Sequence, residues 1–275
     1  MVQINIWFVP RSRSTALVRC LSNISDSQVF FENFLWAFYL GDEDSMFTKH
    51  RDQMAPKAHE HVVPGFNTNS AIKQFQDSSA KVKISKDFIF ALNGRYEEVI
   101  EKDSVNVFLV RDPANVFTSF LPTSNKYFHA VAKGTHKDLT VYYGAVLQGV
   151  EKVALMCSVP PMIVDGSQLS TTSGATKVVS TICEKAGIEF SESFLTWEAG
   201  DGLPSSWVAP KPARSVNELL GFFARANKST GFEDSKERVV DLEEIGKEHP
   251  EIVEDIKACK PYYEKVISLP YMFKL

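Results

Sequence analysis

Ile4-Asn-Ile-Trp-Phe-Val9 runs straight into Pro10-Arg-Ser-Arg-Ser-Thr15, and the reading of this junction decides the fold class. The first stretch is a short apolar run with the pattern of a buried strand. The Ser and Thr residues after it suit a helix start, with the helix extending through Leu21. Working outward, Val29-Phe-Phe31 reads as a second strand and Lys81-Val-Lys-Ile-Ser85 as a third. Val105-Asn-Val-Phe-Leu-Val110 is the clearest strand, and Pro161-Met-Ile-Val164 is the last. Helical patterns separate them: Phe88 to Ile100, a segment opened by Asp112-Pro113, Leu139 to Met156, and Thr172 to Ala186 stopped by Gly187. This order predicts an α/β fold with a mostly parallel central sheet and helices on both faces. Residues 41–80 read as loops and short helices, and a charged terminal helix is expected over about 242–267. With no repeat and no linker, residues 1–275 read as a single domain.

Composition narrows the function classes. Charged residues make up 23% and hydrophobic ones 44% of the 275 residues, which excludes disordered, collagenous and coiled-coil chains. The net charge of −4 argues against a nucleic-acid partner, whose footprint is normally strongly basic. No apolar run approaches the ~20 residues of a membrane span. The opening residues lack a basic stretch and a small-residue cleavage site, so a strand is expected there and not a signal peptide. Cys20, Cys157, Cys183 and Cys259 are widely spaced, with no pair at metal or redox spacing. The expected location is cytoplasmic. His59-Glu-His61 offers two metal ligands without a third, and reads as a surface loop between Pro56 and Pro64.

In sheets of this kind ligands sit beyond the carboxyl ends of the strands. Pro10 to Thr15 lies at such an end, and backbone N–H groups at a helix start favour an anion. Arg11 and Arg13 add two cations, and no acidic residue occurs from residue 1 to 25. That combination suits a phosphate or sulfate; the alternative is a solvated basic turn capped by Ser12 or Ser14. It is not a Walker loop, because the one Gly-Lys pair, Gly246-Lys247, lacks the earlier glycine. An ATP or GTP hydrolase or a nucleotide kinase of related fold is therefore the weaker alternative.

Pro10-Arg-Ser-Arg-Ser-Thr15 resembles the 5′-phosphosulfate loop of the sulfotransferases that use 3′-phosphoadenosine 5′-phosphosulfate (PAPS), with Arg13 where a glycine is usual. Val107-Phe-Leu-Val-Arg-Asp-Pro-Ala-Asn-Val-Phe-Thr-Ser-Phe120 resembles the 3′-phosphate motif of that family: Arg111 at a strand end and Ser119 two helical turns on. Lys228-Ser-Thr-Gly-Phe-Glu233 resembles a late loop of its diverged branch. The resemblance covers about residues 3–233 and implies the P-loop NTPase-like sulfotransferase fold. It implies that Arg11, Ser12, Arg13, Ser14, Thr15, Arg111, Ser119, Lys228, Ser229, Thr230 and Gly231 bind the cofactor.

By the same resemblance the reaction is in-line sulfuryl transfer to a hydroxyl or amine, releasing adenosine 3′,5′-bisphosphate and requiring no metal. Arg11 takes the place of the usual lysine; being always charged, it stabilises the leaving oxygen without donating a proton. Glu32 follows the second strand, where some members place a catalytic Glu. Lys86 and Asp87 stand where cytosolic members carry Lys-Thr-His, so the family histidine is missing. These four are the catalytic candidates, with His59 and His61 as fallback bases. Phe30, Phe31, Phe34, Trp36, Phe38 and Tyr39 surround Glu32 in sequence, which suits a small acceptor with apolar surface. The missing histidine also admits a non-catalytic, sulfotransferase-like binding protein. The oligomeric state stays open, a homodimer among the options.

Overall fold

A computed structural model describes residues 1–41, 63–120, 126–211, 213–214, 223–237 and 239–275, with side chains at 120 and 126–139 outside the description. Five strands, β1 (Val2–Phe8), β2 (Ser27–Phe31), β3 (Val82–Asp87), β4 (Val105–Val110) and β5 (Met162–Asp165), form one sheet in the order β2-β3-β1-β4-β5. Every pairing is parallel, so all five strands end at one edge. Parallel neighbours need crossovers, and a right-handed path places helices on both faces. Helices α1 (Ser14–Leu21) and α7 (Thr172–Lys185) pack together beneath β1, β3 and β4. On the other face lie α2 (Asn33–Leu40), α3 (Thr68–Gln76), α4 (Tyr96–Val99), α5 (Pro113–Phe120) and α6 (Lys126–Met156). The strands are buried along nearly their whole length, as a doubly covered sheet requires.

The expected fold class holds, and several boundaries move. β3 runs to Asp87, so Lys86 and Asp87 are its last residues and do not follow it. The segment 88–100 is two short pieces, a 3₁₀ turn at Ile89–Leu92 and α4. They are split at Asn93 and Gly94, both at positive φ, where a continuous right-handed helix cannot pass. The terminal pattern divides into α9 (Leu242–Glu248) and α10 (Pro250–Ile267) after α8 (Ala224–Lys228). Pro250 enforces the break, since the residue before a proline is pushed out of helical geometry: His249 sits at φ −136, ψ 62. Helix α2 was hidden in an apolar aromatic run with no helical periodicity. His59 and His61 lie outside the described residues. No helix among the described residues is long and apolar enough to cross a membrane, and no cluster of metal-ligating side chains occurs among them.

Candidate active site at the carboxyl edge of the sheet

The loop after β1 is shaped by two arginines in left-handed conformation, Arg11 at φ 60 and Arg13 at φ 70. Alternating hand along the backbone turns successive N–H groups toward one concavity, the geometry of an anion nest. Arg13 is also the N-cap residue of α1, and no side chain caps that helix. The first-turn N–H groups are therefore left for a ligand. Ser12 does not cap α1: it is fully buried and its Oγ donates to the Val9 carbonyl at 2.7 Å, bracing the turn. Gly166, just beyond β5, backs the loop so closely that a Cβ there would lie 2.7 Å from the Ser12 carbonyl oxygen.

Arg111 follows β4 and reaches across to this loop, donating from Nη1 to the Arg11 carbonyl at 2.9 Å. Its own carbonyl accepts from the Tyr143 hydroxyl at 2.5 Å, which fixes the strand end. Asp112 starts α5 by accepting from Ala114 N–H at 2.9 Å, and Ser119, on that helix, accepts from Arg11 Nε at 3.3 Å. The two matched motifs thus meet through three side chains. Burial, then Arg111 and Arg225, push the Arg11 guanidinium below its usual value, an effect of crowding cations in a partly dry site. Arg225, on α8, joins Arg11, Arg13 and Arg111 in this cluster, and Glu237 is the carboxylate that answers it. Glu237 Oε1 accepts from Arg13 Nη2 at 2.8 Å and Oε2 from Arg111 Nη2 at 2.6 Å. Arg13 Nε and Arg111 Nε are buried without a partner, so the cluster has donors to spare for a larger oxyanion.

Alternation along β3 sends its last two residues to opposite faces. Asp87 turns toward α2, where Oδ2 accepts from Phe34 N–H at 2.7 Å and Oδ1 from Leu35 N–H at 3.0 Å and Phe88 N–H at 2.9 Å. It anchors the start of α2. Lys86 is fully buried, with Nζ 2.5 Å from Glu32 Oε1. Its ammonium lies 3.9 Å from the Phe8 ring centroid, 4.1 Å from Phe31 and 5.1 Å from Phe223. Burial lowers the Lys86 pKa; Glu32 and Asp87 oppose that shift, and nearby Arg11 adds to it. Contact with Phe8, the last residue of β1, places the Lys86–Glu32 pair near the loop that follows that strand. Glu32 itself is held at φ 55, so three of the five non-glycine residues with positive φ among the described residues lie at this edge. Such strain collects at functional sites.

The late loop behaves differently. Ser229 ends α8, Thr230 accepts from Trp197 N–H at 3.0 Å, and Gly231 bridges Thr196. Thr230 and Gly231 therefore pair with Trp197 and Thr196, Lys228 and Ser229 close α8, with Ser229 Oγ donating to the Ala226 carbonyl at 3.1 Å, and the same helix carries Arg225. Arg225 and Glu237 were not found from sequence. Arg225 sits just before the Lys228 motif and was the only available signal; Glu237 lies in an acidic run that reads as solvated surface.

The chain matches the sulfotransferase domain family over residues 2–235. It is 26% identical over 239 residues to the branched-chain-amino-acid aminotransferase-like protein 2 of Arabidopsis thaliana, covering 84% of this chain and 36% of that protein. The chain thus spans about a third of that curated relative. Among solved structures, it aligns with the sulfotransferase domain of the Synechococcus PCC 7002 olefin synthase, at TM-score 0.47 and 14% identity, over 93% of each chain. It also aligns with the sulfotransferase domain from the curacin biosynthetic pathway, at TM-score 0.46 and 13% identity, over 86% of this chain and 94% of that one. With strand, anion loop and arginine cluster falling inside the matched region, the chain belongs to the sulfotransferase domain family.

Proposed function

We propose that this protein transfers a sulfuryl group from PAPS to a hydroxyl or amine of a small organic acceptor with apolar surface. The observation that carries the reading is the meeting of an uncapped helix start, four arginines and a buried Lys86–Glu32 pair at one sheet edge. The donor set fits a nucleotide with two phosphate groups: nest N–H groups and spare guanidinium Nε–H groups, with the Ser119 hydroxyl, which donates to the Val116 carbonyl at 2.7 Å, turning to the ligand when it binds. When bound, PAPS supplies an activated sulfuryl group and a phosphate oxygen that leaves with negative charge.

The loop from Arg11 to Thr15 and the start of α1 hold the 5′ side, and Arg111 with Ser119 holds the 3′-phosphate. Arg11 lies between them and stabilises charge on the leaving oxygen electrostatically, since a guanidinium does not give up its proton. Glu32 accepts the proton of the acceptor, and Lys86 holds the carboxylate in place. Phe8, Phe31 and Phe223 keep water from the pair, and Phe223, the partly exposed ring of the three, gives an acceptor apolar contact.

The test is incubation with PAPS and a panel of phenols, alcohols and amines, read by mass spectrometry. A sulfated product together with adenosine 3′,5′-bisphosphate supports the reading. Arg111→Ala should weaken bisphosphate binding by about 10–100-fold, the worth of a charge-assisted pair of hydrogen bonds. Glu32→Gln should stop turnover and keep binding. Absence of both product and nucleotide binding would overturn the proposal. One observation favours a second reading, a nucleotide-binding protein without turnover: Glu32 is only 5% exposed and already engaged by Lys86. Binding without product across the panel would select it.

A further inference from the structure

Glu237 lies two residues beyond the region matched to the family, yet its carboxylate sits in the middle of the arginine cluster. Each of its oxygens takes one Nη2–H, one from Arg13 and one from Arg111. In a guanidinium, Nη2 and Nε share an edge and present parallel N–H groups. On both arginines the carboxylate uses the Nη2 half of that edge, and the Nε half is buried and without a partner. A planar group with two oxygens fills half of a seat with four donors. A phosphate, with three terminal oxygens, has the acceptors to use both edges.

The strap that carries Glu237 meets the arginines a second time, Ser235 Oγ accepting from Arg13 Nη2 at 3.3 Å, but most of its ties lie elsewhere. Ser235 N–H donates to the Ser170 carbonyl at 2.7 Å, and Asp234 Oδ1 accepts from Thr172 N–H at 2.7 Å. Thr172 Oγ1 donates to the Phe232 carbonyl at 3.2 Å. These bonds hold residues 232–235 against the start of α7, so the Glu237 side chain can leave its seat while the strap remains docked.

Resting on the sulfotransferase reading above, we propose that the Glu237 carboxylate is a resident anion in the seat of a nucleotide phosphate, and that nucleotide binding proceeds by displacing it. Cofactor affinity is then set by a residue that the bound state does not need. The apparent dissociation constant exceeds the intrinsic one by the inverse of the fraction of molecules whose seat is open. Removing the charge while keeping the shape opens the seat permanently.

The experiment compares the wild-type chain with Glu237→Gln and Glu237→Asp. Affinity for adenosine 3′,5′-bisphosphate is read by calorimetry, and thermal midpoints are read in increasing inorganic sulfate. Glu237→Gln should bind the bisphosphate about tenfold more tightly, unfold at a lower temperature in sulfate-free buffer, and recover more stability from sulfate than wild type does. Glu237→Asp, which keeps the charge, should stay nearer wild type. Equal or weaker bisphosphate binding by Glu237→Gln, with equal sulfate response, would overturn the inference: the carboxylate would then be holding the arginines in place for the ligand. If no variant binds the bisphosphate but sulfate still favours Glu237→Gln, the anion seat stands and the nucleotide reading falls.

Discussion

Lys86 and Asp87 are adjacent in sequence and do opposite things. Lys86 is a fully buried cation whose counter-ion, Glu32, comes from another strand end. Removing one member of a buried ion pair strands the other charge, so Lys86→Met should lower stability by about 3–5 kcal/mol. The double variant Lys86→Met/Glu32→Leu should recover most of that, which a double-mutant cycle by urea unfolding would show. Asp87 is buried with three backbone N–H groups on its oxygens. Burial pushes its carboxyl up to about 8, with Glu32 adding to the shift and the N–H of Phe88, Phe34 and Leu35 opposing it. A folded-state pKa above the unfolded one means that the native state holds its proton longer. The stability contribution is therefore complete below about pH 4, falls as pH rises toward 8, and is flat beyond. Asp87→Asn should remove that slope from unfolding free energies measured across the window. The chemistry of these residue types was legible in sequence. Their roles were not, because alternation along a strand assigns the faces only once the strand end is known.

At the scale of elements, the site depends on how closely β5 and its turn approach the loop after β1. Gly166 is the contact point, and its missing side chain is what lets the Ser12 carbonyl pass. Gly166→Ala puts a methyl 2.7 Å from a backbone oxygen that has no flexible end to swing away. Overpacking of this kind costs about 1–3 kcal/mol. Because the strain falls on the anion loop, bisphosphate binding should weaken along with the thermal midpoint, while Gly200→Ala, in open space, should change neither. The loop and Arg111 were readable as motifs because each is a pattern of local spacing. Their contact with Gly166, Tyr143 and Glu237 spans up to 224 positions and leaves no local pattern.

For the molecule as a whole, the opening charge balance acquires a location. Residues 233–257 hold ten acidic and four basic residues, and the rest of the chain carries a small basic excess. That acidic run reads as solvated surface, and most of it is: α9 buries none of its residues. Two parts escape the description. Glu237 enters the arginine cluster, and α10 turns Val253, Ile256, Cys259 and Val266 into the core against α6. Helix α10 also reaches the site edge, with Lys260 Nζ 2.6 Å from Asp112 Oδ2 and the Tyr263 hydroxyl donating to Asp165 Oδ2 at 2.8 Å. Ile256 is 3% exposed, so Ile256→Ala should lower the unfolding free energy by about 2–5 kcal/mol, measured by the urea midpoint. A change under 0.5 kcal/mol would mean that α10 is merely laid on the surface. Sequence alone determined the α/β class and the parallel sheet and picked out the two motifs that meet at its edge, because each follows from periodicity and spacing within one segment. Tertiary structure alone decided which strand ends face each other, that Lys86 is caged by three rings, and that an acidic residue closes a basic site. Those are contacts between distant segments, and charge counted along a chain has no position until the chain is folded.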